Sequence, residues 1–283
     1  PSIEREIRNE LTEVAEEQAI KVFGSNIRNL LLQAPIKGKT VMGFDPGYRT
    51  GCKIAVVDET GKLLDTATVY ATQSQGQADE AKKVLKKMIE KHNVEVISLG
   101  NGTASRESEK ICAEIIKEMN RPLHYVIVSE AGASVYSASE LASKEYPDIN
   151  VSIRGAISIG RRLQDPLAEL VKIDPKSIGV GQYQHDVSQK KLSETLTGVV
   201  EDCVNSVGID LNTASPSLLQ YISGVNSAVA KNIVDYREEN GKFKSRKELM
   251  KVKKLGAKAF EHSAAFLRIQ ESAHVLANTS VHP

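Results

Sequence analysis

The sequence predicts an α/β domain with a mixed sheet, followed by an all-α region that contains tandem helical hairpins. Two observations predict this fold class. Between residues 40 and 146, runs of apolar and β-branched residues first follow one another directly and then alternate with helical patterns. Further along, the nine residues that start at Ile222 recur in degenerate form from Val252, 30 residues later.

Composition favours a globular chain of more than one domain. It has 283 residues, of which 41% are apolar, and no apolar run is long enough to span a membrane. No leader pattern is present, so we expect a cytoplasmic protein without a membrane partner. Cys52, Cys112 and Cys203 lie far apart and in no metal-binding pattern, which argues against a disulfide framework and a zinc site.

The first predicted element is an amphipathic helix. Its apolar residues recur near helical spacing, at Ile3, Ile7, Leu11, Val14 and Val22. Gly24-Ser25-Asn26 is expected to interrupt this helix, and a second short helix is expected to begin at Ile27. A helical lead-in without a domain of its own suggests that the chain is part of a longer protein.

The sheet is predicted from five strand-like runs and three helical patterns. The strands are expected at Thr40 to Phe44, Cys52 to Asp58, Lys62 to Tyr70, Val94 to Leu99 and Tyr125 to Val128. The helices are expected at Gln77 to His92, Ser105 to Met119 and Ala131 to Tyr146. Three consecutive strands, followed by two that alternate with helices, give the mixed sheet of ribonuclease-H-like folds, covered on both faces.

After Pro147 the sequence predicts helices and no further strand. Helices are expected at 151–163, 166–171 and 187–207, and one repeat unit cannot bury its apolar residues alone, so two units are expected to share a core. The predicted organisation is a helical lead-in (1–36), a ribonuclease-H-like domain (37–146), a helical connector (147–204), a tandem hairpin domain (205–270) and a truncated tail (271–283).

The repeat also predicts a binding site. Each copy consists of a helix, a tight turn of residues that tolerate unusual backbone angles, and a second helix that opens with small residues. Amides that converge at a helix N-terminus bind anions without reading base identity, so we expect a nucleic-acid phosphate there. The candidate residues are Gly224, Asn226, Ser227, Lys253, Lys254, Gly256 and Lys258.

Charge distribution supports the same site. The net charge is only +1, but the segment from Lys242 to Lys258 holds eight basic residues and the single acid Glu248. The second hairpin has Lys258 where the first has Ala228, so we expect it to contribute more of the phosphate binding. No aromatic platform for base stacking is evident, and a preference between DNA and RNA is therefore not predicted.

A second candidate site lies after the first strand, in the glycine-rich turn from Gly43 to Gly51. Asp45 stands where ribonuclease-H-like nucleases hold divalent metal, and Glu107 and Glu130 are the further acids that could join it. Glu107 equally suits the first turn of a helix. The same turn could cradle a nucleotide phosphate, as in actin-like ATPases, or could simply shape a tight strand connection.

Four blocks of the sequence resemble the bacterial Tex family of transcription accessory proteins. These blocks are Gly43-Phe-Asp-Pro-Gly-Tyr-Arg-Thr-Gly51, Gly100-Asn-Gly-Thr-Ala-Ser-Arg-Glu107, Glu130-Ala-Gly-Ala-Ser-Val-Tyr-Ser-Ala-Ser-Glu140, and the stretch from Arg161 to Asp186. The resemblance implies a YqgF domain of ribonuclease-H-like fold, followed by tandem helix-hairpin-helix units. It also implies RNA polymerase as a partner.

The functional prediction is a non-enzymatic, sequence-tolerant nucleic-acid-binding scaffold in transcription, with no cofactor. YqgF nucleases carry Asp-Glu-Arg where this chain has Ser129-Glu130-Ala131, so the set of acids is incomplete. The alternative is a nuclease or resolvase that uses Asp45 with Glu107 or Glu130 and depends on Mg²⁺ or Mn²⁺. A third hypothesis is that the hairpins dock another protein.

Overall fold

The chain folds into two compact units. A computed structural model describes residues 2–71, 74–270, 272 and 274–283. Residues 33–173 form one unit, here called the sheet unit, and residues 1–32 with 174–283 form the other, the helical unit. Helix α1 (Ser2–Leu31) opens the chain and belongs to the helical unit. The predicted connector, residues 147–204, is divided between the two units after Ile173.

The sheet unit contains the predicted five-stranded mixed sheet. Its strands are β1 (Val41–Asp45), β2 (Cys52–Val57), β3 (Leu63–Val69), β4 (Val96–Gly100) and β5 (His124–Val128). They are arranged in the order β3-β2-β1-β4-β5. Strand β1 is antiparallel to β2 and parallel to β4, and β5 is parallel to β4. The predicted ribonuclease-H-like fold is therefore confirmed.

Helices cover both faces of this sheet. They are α2 (Gln75–Lys91), α3 (Ser105–Glu118), α4 (Ala133–Ala138), α5 (Glu140–Glu145), α6 (Val151–Gln164) and α7 (Pro166–Leu170). Met42 and Phe44 of β1 share a core with residues of α2 and α3, such as Leu85 and Ile115. Val41, on the opposite face, is buried with residues of α6. This alternation follows from the period of two in a strand.

Helix α6 lies directly against the backbone of β1 because both carry glycine at the contact. A Cβ added at Gly43 would lie 2.0 Å from the carbonyl oxygen of Ala156 and 2.8 Å from the amide nitrogen of Gly160. A Cβ at Gly160 would meet the Cα of Gly43 at 3.4 Å. Helix α6 therefore belongs to the core of the sheet unit.

The prediction of a single helix over residues 131–146 is wrong. Two helices, α4 and α5, replace it, because Ser139 adopts an extended conformation with ψ 155°. Its hydroxyl accepts a hydrogen bond from the amide of Ala142 at 3.1 Å, which caps the second helix. The chain therefore turns at Ser139, a residue that the helical pattern alone placed inside one element.

In the helical unit, α1 packs along α8 (Gln189–Val207), the long helix that was predicted at 187–207. This unit continues with β6 (Ile209–Asp210), α9 (Pro216–Leu219), α10 (Ser227–Asn240), α11 (Ala257–Ser263) and β7 (Leu267–Arg268). Phe23 and Ile27 of α1 are buried, as are Leu192 and Leu196 of α8. The predicted interruption at residues 24–26 is wrong. The helix continues through Gly24, which is buried beside α8, with Val199 3.4 Å from where a Cβ would lie.

Two further differences concern the repeat region. Strands β6 and β7 form a short parallel pair, although no strand was predicted after Pro147. The first helix of the second hairpin is a 3-10 helix, Arg246–Lys251, which opens with a capping box between Ser245 and Glu248. In the described ranges, no helix has the length and apolar content needed to cross a bilayer.

Candidate nucleic-acid interface

The two hairpin turns have the same backbone plan. In the first, the amide of Val225 donates to the carbonyl of Ile222 at 2.9 Å, and helix α10 begins two residues later. In the second, the amide of Leu255 donates to the carbonyl of Val252 at 3.2 Å, and α11 follows in the same way. The 30-residue repeat read from the sequence is therefore also a structural repeat.

Only one position in each turn has left-handed backbone geometry. Gly224 has φ 79° and Lys254, its counterpart, has φ 65°. Asn226 and Gly256 also tolerate unusual angles, but both are extended here, with φ of −95° and −84°. Gly224 suits its position for two reasons. It adopts the left-handed conformation without strain, and a Cβ there would lie only 2.9 Å from the Cβ of His262 in α11. Lys254 adopts the same conformation at a steric cost.

Both turns expose amides that can donate to a ligand. Within the described part of the chain, the amides of Gly224, Asn226, Ser227 and Ala228 donate to no protein acceptor. The next amide, that of Val229, is capped by Oδ1 of Asn226 at 2.9 Å.

The second hairpin has no such side-chain cap. The amides of Lys254 and of residues 256–259 are therefore open there, again counting described acceptors only. Around Gly256, no protein atom would lie within 4 Å of an added Cβ, so a ligand can reach the backbone closely. The second turn is consequently the more accessible anion site.

The predicted cationic residues surround this second turn. Lys253, Lys254 and Lys258 are exposed, and none forms an ion pair within the described ranges. Arg246 belongs to the same basic run but is 4% exposed, and its Nη1 donates to the carbonyl of Ala264 at 2.9 Å. Arg246 therefore stabilises the fold, whereas the three lysines face solvent.

The seven candidate residues thus fall on two turns of one unit. Nδ2 of Asn232, in α10, donates to the carbonyl of Lys253 at 2.8 Å and ties the turns together. Gly224, on the first turn, packs against α11 of the second hairpin, with the carbonyl oxygen of Ala259 3.1 Å from an added Cβ. The two turns are therefore held in a fixed relation, which favours a ligand with regularly spaced charges.

A separate cavity of about 280 Å³ holds two of the three predicted acids. Asp45 at the end of β1 and Glu130 after β5 both line it. Glycines make room for these carboxylates: a Cβ on Gly102 would lie 1.8 Å from Oε1 of Glu130, and one on Gly155 would lie 3.0 Å from Oδ2 of Asp45. Glu107 does not line the cavity, because it lies exposed on α3 and accepts a hydrogen bond from Tyr48.

Sequence reasoning missed two cations beside these acids. Lys53 is 8% exposed, and its Nζ donates to the carbonyls of Thr50 and Gly51, the latter at 3.1 Å. Arg162 is 3% exposed and donates to the carbonyls of Ser129 and Ala131 at 2.8 and 2.7 Å. Lys53 lies in a strand-like run and Arg162 in a helical pattern. Neither pattern indicates that the side chain is buried beside the two acids.

Burial dominates the electrostatics of the cavity. It raises the pKa of Asp45 to about 6, and the nearby Glu130 carboxylate adds to the increase. Burial also raises the pKa of Glu130, against the hydrogen bond from the Gly102 amide. In the described ranges, no group of three or more His, Cys, Asp or Glu side chains is arranged to hold a metal ion. Two carboxylates beside Lys53 and Arg162 do not fit a two-metal nuclease centre.

We expect Asp45→Asn to stabilise the chain by about 2 to 3 kcal/mol at pH 8 and not at pH 4. The folded-state pKa of about 6 lies above the ordinary 3.8, so the folded state binds this proton more tightly. The stability that it contributes is complete below pH 3.8 and is lost as the pH rises to about 6. Asparagine does not ionise and avoids this loss. Urea unfolding of both proteins between pH 4 and pH 8 measures the difference in their free energies of unfolding. An equal difference at pH 4 and pH 8 would contradict the raised pKa of Asp45.

Comparison with known proteins supports the assignment of both regions. Residues 39–164 match the family described as Tex protein YqgF-like domain, and residues 204–268 match the helix-hairpin-helix motif family. The chain is 58% identical over 283 residues to "Transcriptional accessory protein Tex" of Neisseria gonorrhoeae, covering 100% of this chain and 37% of that protein.

Two other relatives extend this result. "Protein YhgF" of Escherichia coli (strain K12) is 56% identical over 282 residues, which are 99% of this chain and 36% of that protein. "S1 RNA-binding domain-containing protein 1" of Homo sapiens is 50% identical over 274 residues, 96% of this chain and 27% of that protein. The chain therefore spans well under half the length of these relatives. Over the stretch that it shares with them, with its YqgF-like domain and helix-hairpin-helix motifs, the chain belongs to the Tex family.

Proposed function

We propose that this chain is a non-enzymatic nucleic-acid-binding scaffold that acts in transcription and holds the phosphate backbone through its two hairpin turns. The observation that carries the proposal is the second turn. There, open amides, the bare Cα of Gly256 and three unpaired lysines, counted within the described ranges, lie on one exposed surface. No other exposed turn in the described ranges combines these features with a match to a helix-hairpin-helix family.

Amide and ammonium donors of this kind recognise charge and spacing and carry no base information. The scaffold is therefore sequence-tolerant. A role in transcription is supported by the printed name of the Neisseria relative, and the name of the human relative refers to RNA binding by a domain of that protein. RNA polymerase remains a predicted partner, on the family resemblance alone.

A nuclease activity is less well supported by the sheet unit. Asp45 and Glu130 share a cavity with a buried lysine, while Glu107 is engaged with Tyr48 outside it. We therefore propose that the sheet unit serves as a platform or as a second contact surface, without a cofactor.

The test is a salt titration of binding by the whole chain. Fluorescence anisotropy with labelled duplex DNA, single-stranded DNA and single-stranded RNA should give log Kobs that falls linearly with log[salt], by about 0.7 to 0.9 per phosphate contacted. Absence of binding to all three probes at low salt would overturn the proposal and favour a protein-docking surface. In parallel, cleavage with Mg²⁺ or Mn²⁺ that disappears in Asp45→Asn would overturn the non-enzymatic assignment.

A further inference from the structure

Tyr183 is an exposed aromatic residue in an unfavourable backbone conformation. Tyr183 is 76% exposed, and its backbone φ is 60°. Few residues other than glycine, asparagine and aspartate adopt this left-handed region, and a tyrosine does so only where the surrounding chain imposes it. Tyr183 lies in the loop between the 3-10 helix Pro175–Ser177 and helix α8, within the helical unit.

The loop around Tyr183 is fixed by a buried glutamine. Gln184 is 5% exposed, its Oε1 accepts from the amide of Val180 at 3.1 Å, and its Nε2 donates to the carbonyl of Lys176 at 2.8 Å. The carbonyl of Gln184 in turn accepts from Nε2 of Gln189 in α8 at 3.1 Å. With Gln184 directed inward, its neighbour Tyr183 is directed outward.

Helix α1 holds the other side of the loop. Nδ2 of Asn26 donates to the carbonyl of Val180 at 2.6 Å. The ring of Phe23 lies so close to Gly181 that an added Cβ would be 2.1 Å from Cε1. The backbone that precedes Tyr183 therefore has no freedom to relax, and the left-handed conformation is a built feature of the loop.

The ring of Tyr183 forms no specific interaction that would offset this cost. Among the described residues it has no aromatic partner, no cation above it and no hydrogen bond from its hydroxyl. Glycine would satisfy the backbone at this position at lower cost. A conformation that costs free energy and presents a large flat side chain to solvent points to a ligand outside the chain.

We propose that Tyr183 is a stacking platform for an unpaired base of single-stranded nucleic acid. The inference rests on the proposed function, since the hairpin turns of the same compact unit would hold the phosphates. The exposed residues that lie close to Tyr183 in the sequence include the polar residues Gln182, His185, Asp186 and Gln189. Polar groups around an exposed ring suit the hydrogen-bonding edges of a base, whereas an apolar protein groove would call for apolar neighbours.

The experiment compares two probes of equal length and charge, a labelled oligothymidine and an abasic oligonucleotide. Both offer the same phosphates, but only the first offers bases. Tyr183→Gly should weaken binding of oligothymidine by about five- to hundredfold and leave abasic binding unchanged. Because stacking releases no counterions, the salt slope should stay as in the unmodified chain.

Two controls separate stacking from folding. Tyr183→Gly relieves the left-handed strain, so its melting temperature should be equal to or higher than that of the unmodified chain. Tyr183→Phe keeps the ring and should bind oligothymidine within about twofold of the unmodified chain. Equal weakening of both probes, or no weakening of either in Tyr183→Gly, would overturn the platform. The proposed function would still stand if the unmodified chain bound both probes with a steep salt dependence.

Discussion

Changing Lys253, Lys254 and Lys258 together to alanine is expected to weaken nucleic-acid binding by about ten- to hundredfold at moderate salt. Each lysine near a phosphate releases counterions on binding, so the slope of log Kobs against log[salt] should fall by about 2 to 3 for duplex DNA. The three ammonium groups are exposed beside the more open of the two turns. Lys254→Ala also leaves the left-handed strain as it is, because alanine and lysine both carry a Cβ.

A matched variant tests whether position or total charge matters. Lys87, Lys110 and Lys117 are exposed lysines on α2 and α3 that form no ion pair within the described ranges. Changing all three to alanine removes the same charge from the sheet unit. We expect this variant to bind nucleic acid with nearly the same slope of log Kobs against log[salt] as the unmodified chain. If the two triple variants lost affinity and slope equally, the hairpin assignment would be wrong, and equal binding by the hairpin variant and the unmodified chain would also refute it.

Gly43→Ala is expected to destabilise the sheet unit by about 3 kcal/mol or more, because the new methyl group has no space. It would lie 2.0 Å from the carbonyl oxygen of Ala156 and 2.8 Å from the amide nitrogen of Gly160, which are backbone atoms of α6. Neither can rotate away as a side chain could. Strand β1 is also held by β2 and β4, so separating it from α6 would disturb both pairings.

Gly76→Ala is the matched control for this prediction. Gly76 lies in the first turn of α2, where no atom would come within 4 Å of an added Cβ. Alanine should therefore leave stability unchanged or raise it by up to about 1 kcal/mol. Urea unfolding of both variants gives the comparison. A Gly43→Ala protein with the unfolding midpoint of the unmodified chain would show that α6 does not lie against β1 as described.

Local patterns were sufficient to predict the sheet but not the path of every helix. Runs of apolar and β-branched residues, and their order relative to the helical patterns, correctly gave a mixed sheet covered on both faces. The glycine at position 24 was taken as a break because glycine weakens an isolated helix by about 1 kcal/mol. The burial of α1 against α8 outweighs that cost, and contacts between helices so distant in sequence cannot be read from local spacing.

The candidate interface could also be predicted only in part from the sequence. Composition located the exposed lysines and the repeated turns, because both are local features. It did not show that Arg246 is buried or that Asn226 caps a helix in an extended conformation, since both depend on where the neighbouring backbone lies. The exposure of Tyr183 follows from hydrogen bonds of Gln184 to Val180 and Lys176, a network that no spacing rule describes.

The packing of α1 on α8 has a consequence for biosynthesis. The ribosome releases Phe23 and Ile27 of α1 long before Val199 of α8, which lies beside Gly24, so at about 5 to 20 residues per second their apolar surface would wait roughly 10 to 30 s. All residues of the sheet unit, 33–173, emerge during this interval. The sheet unit is therefore expected to complete its β-sheet while helix α1 still waits for α8, with an uncovered apolar surface that can bind chaperones.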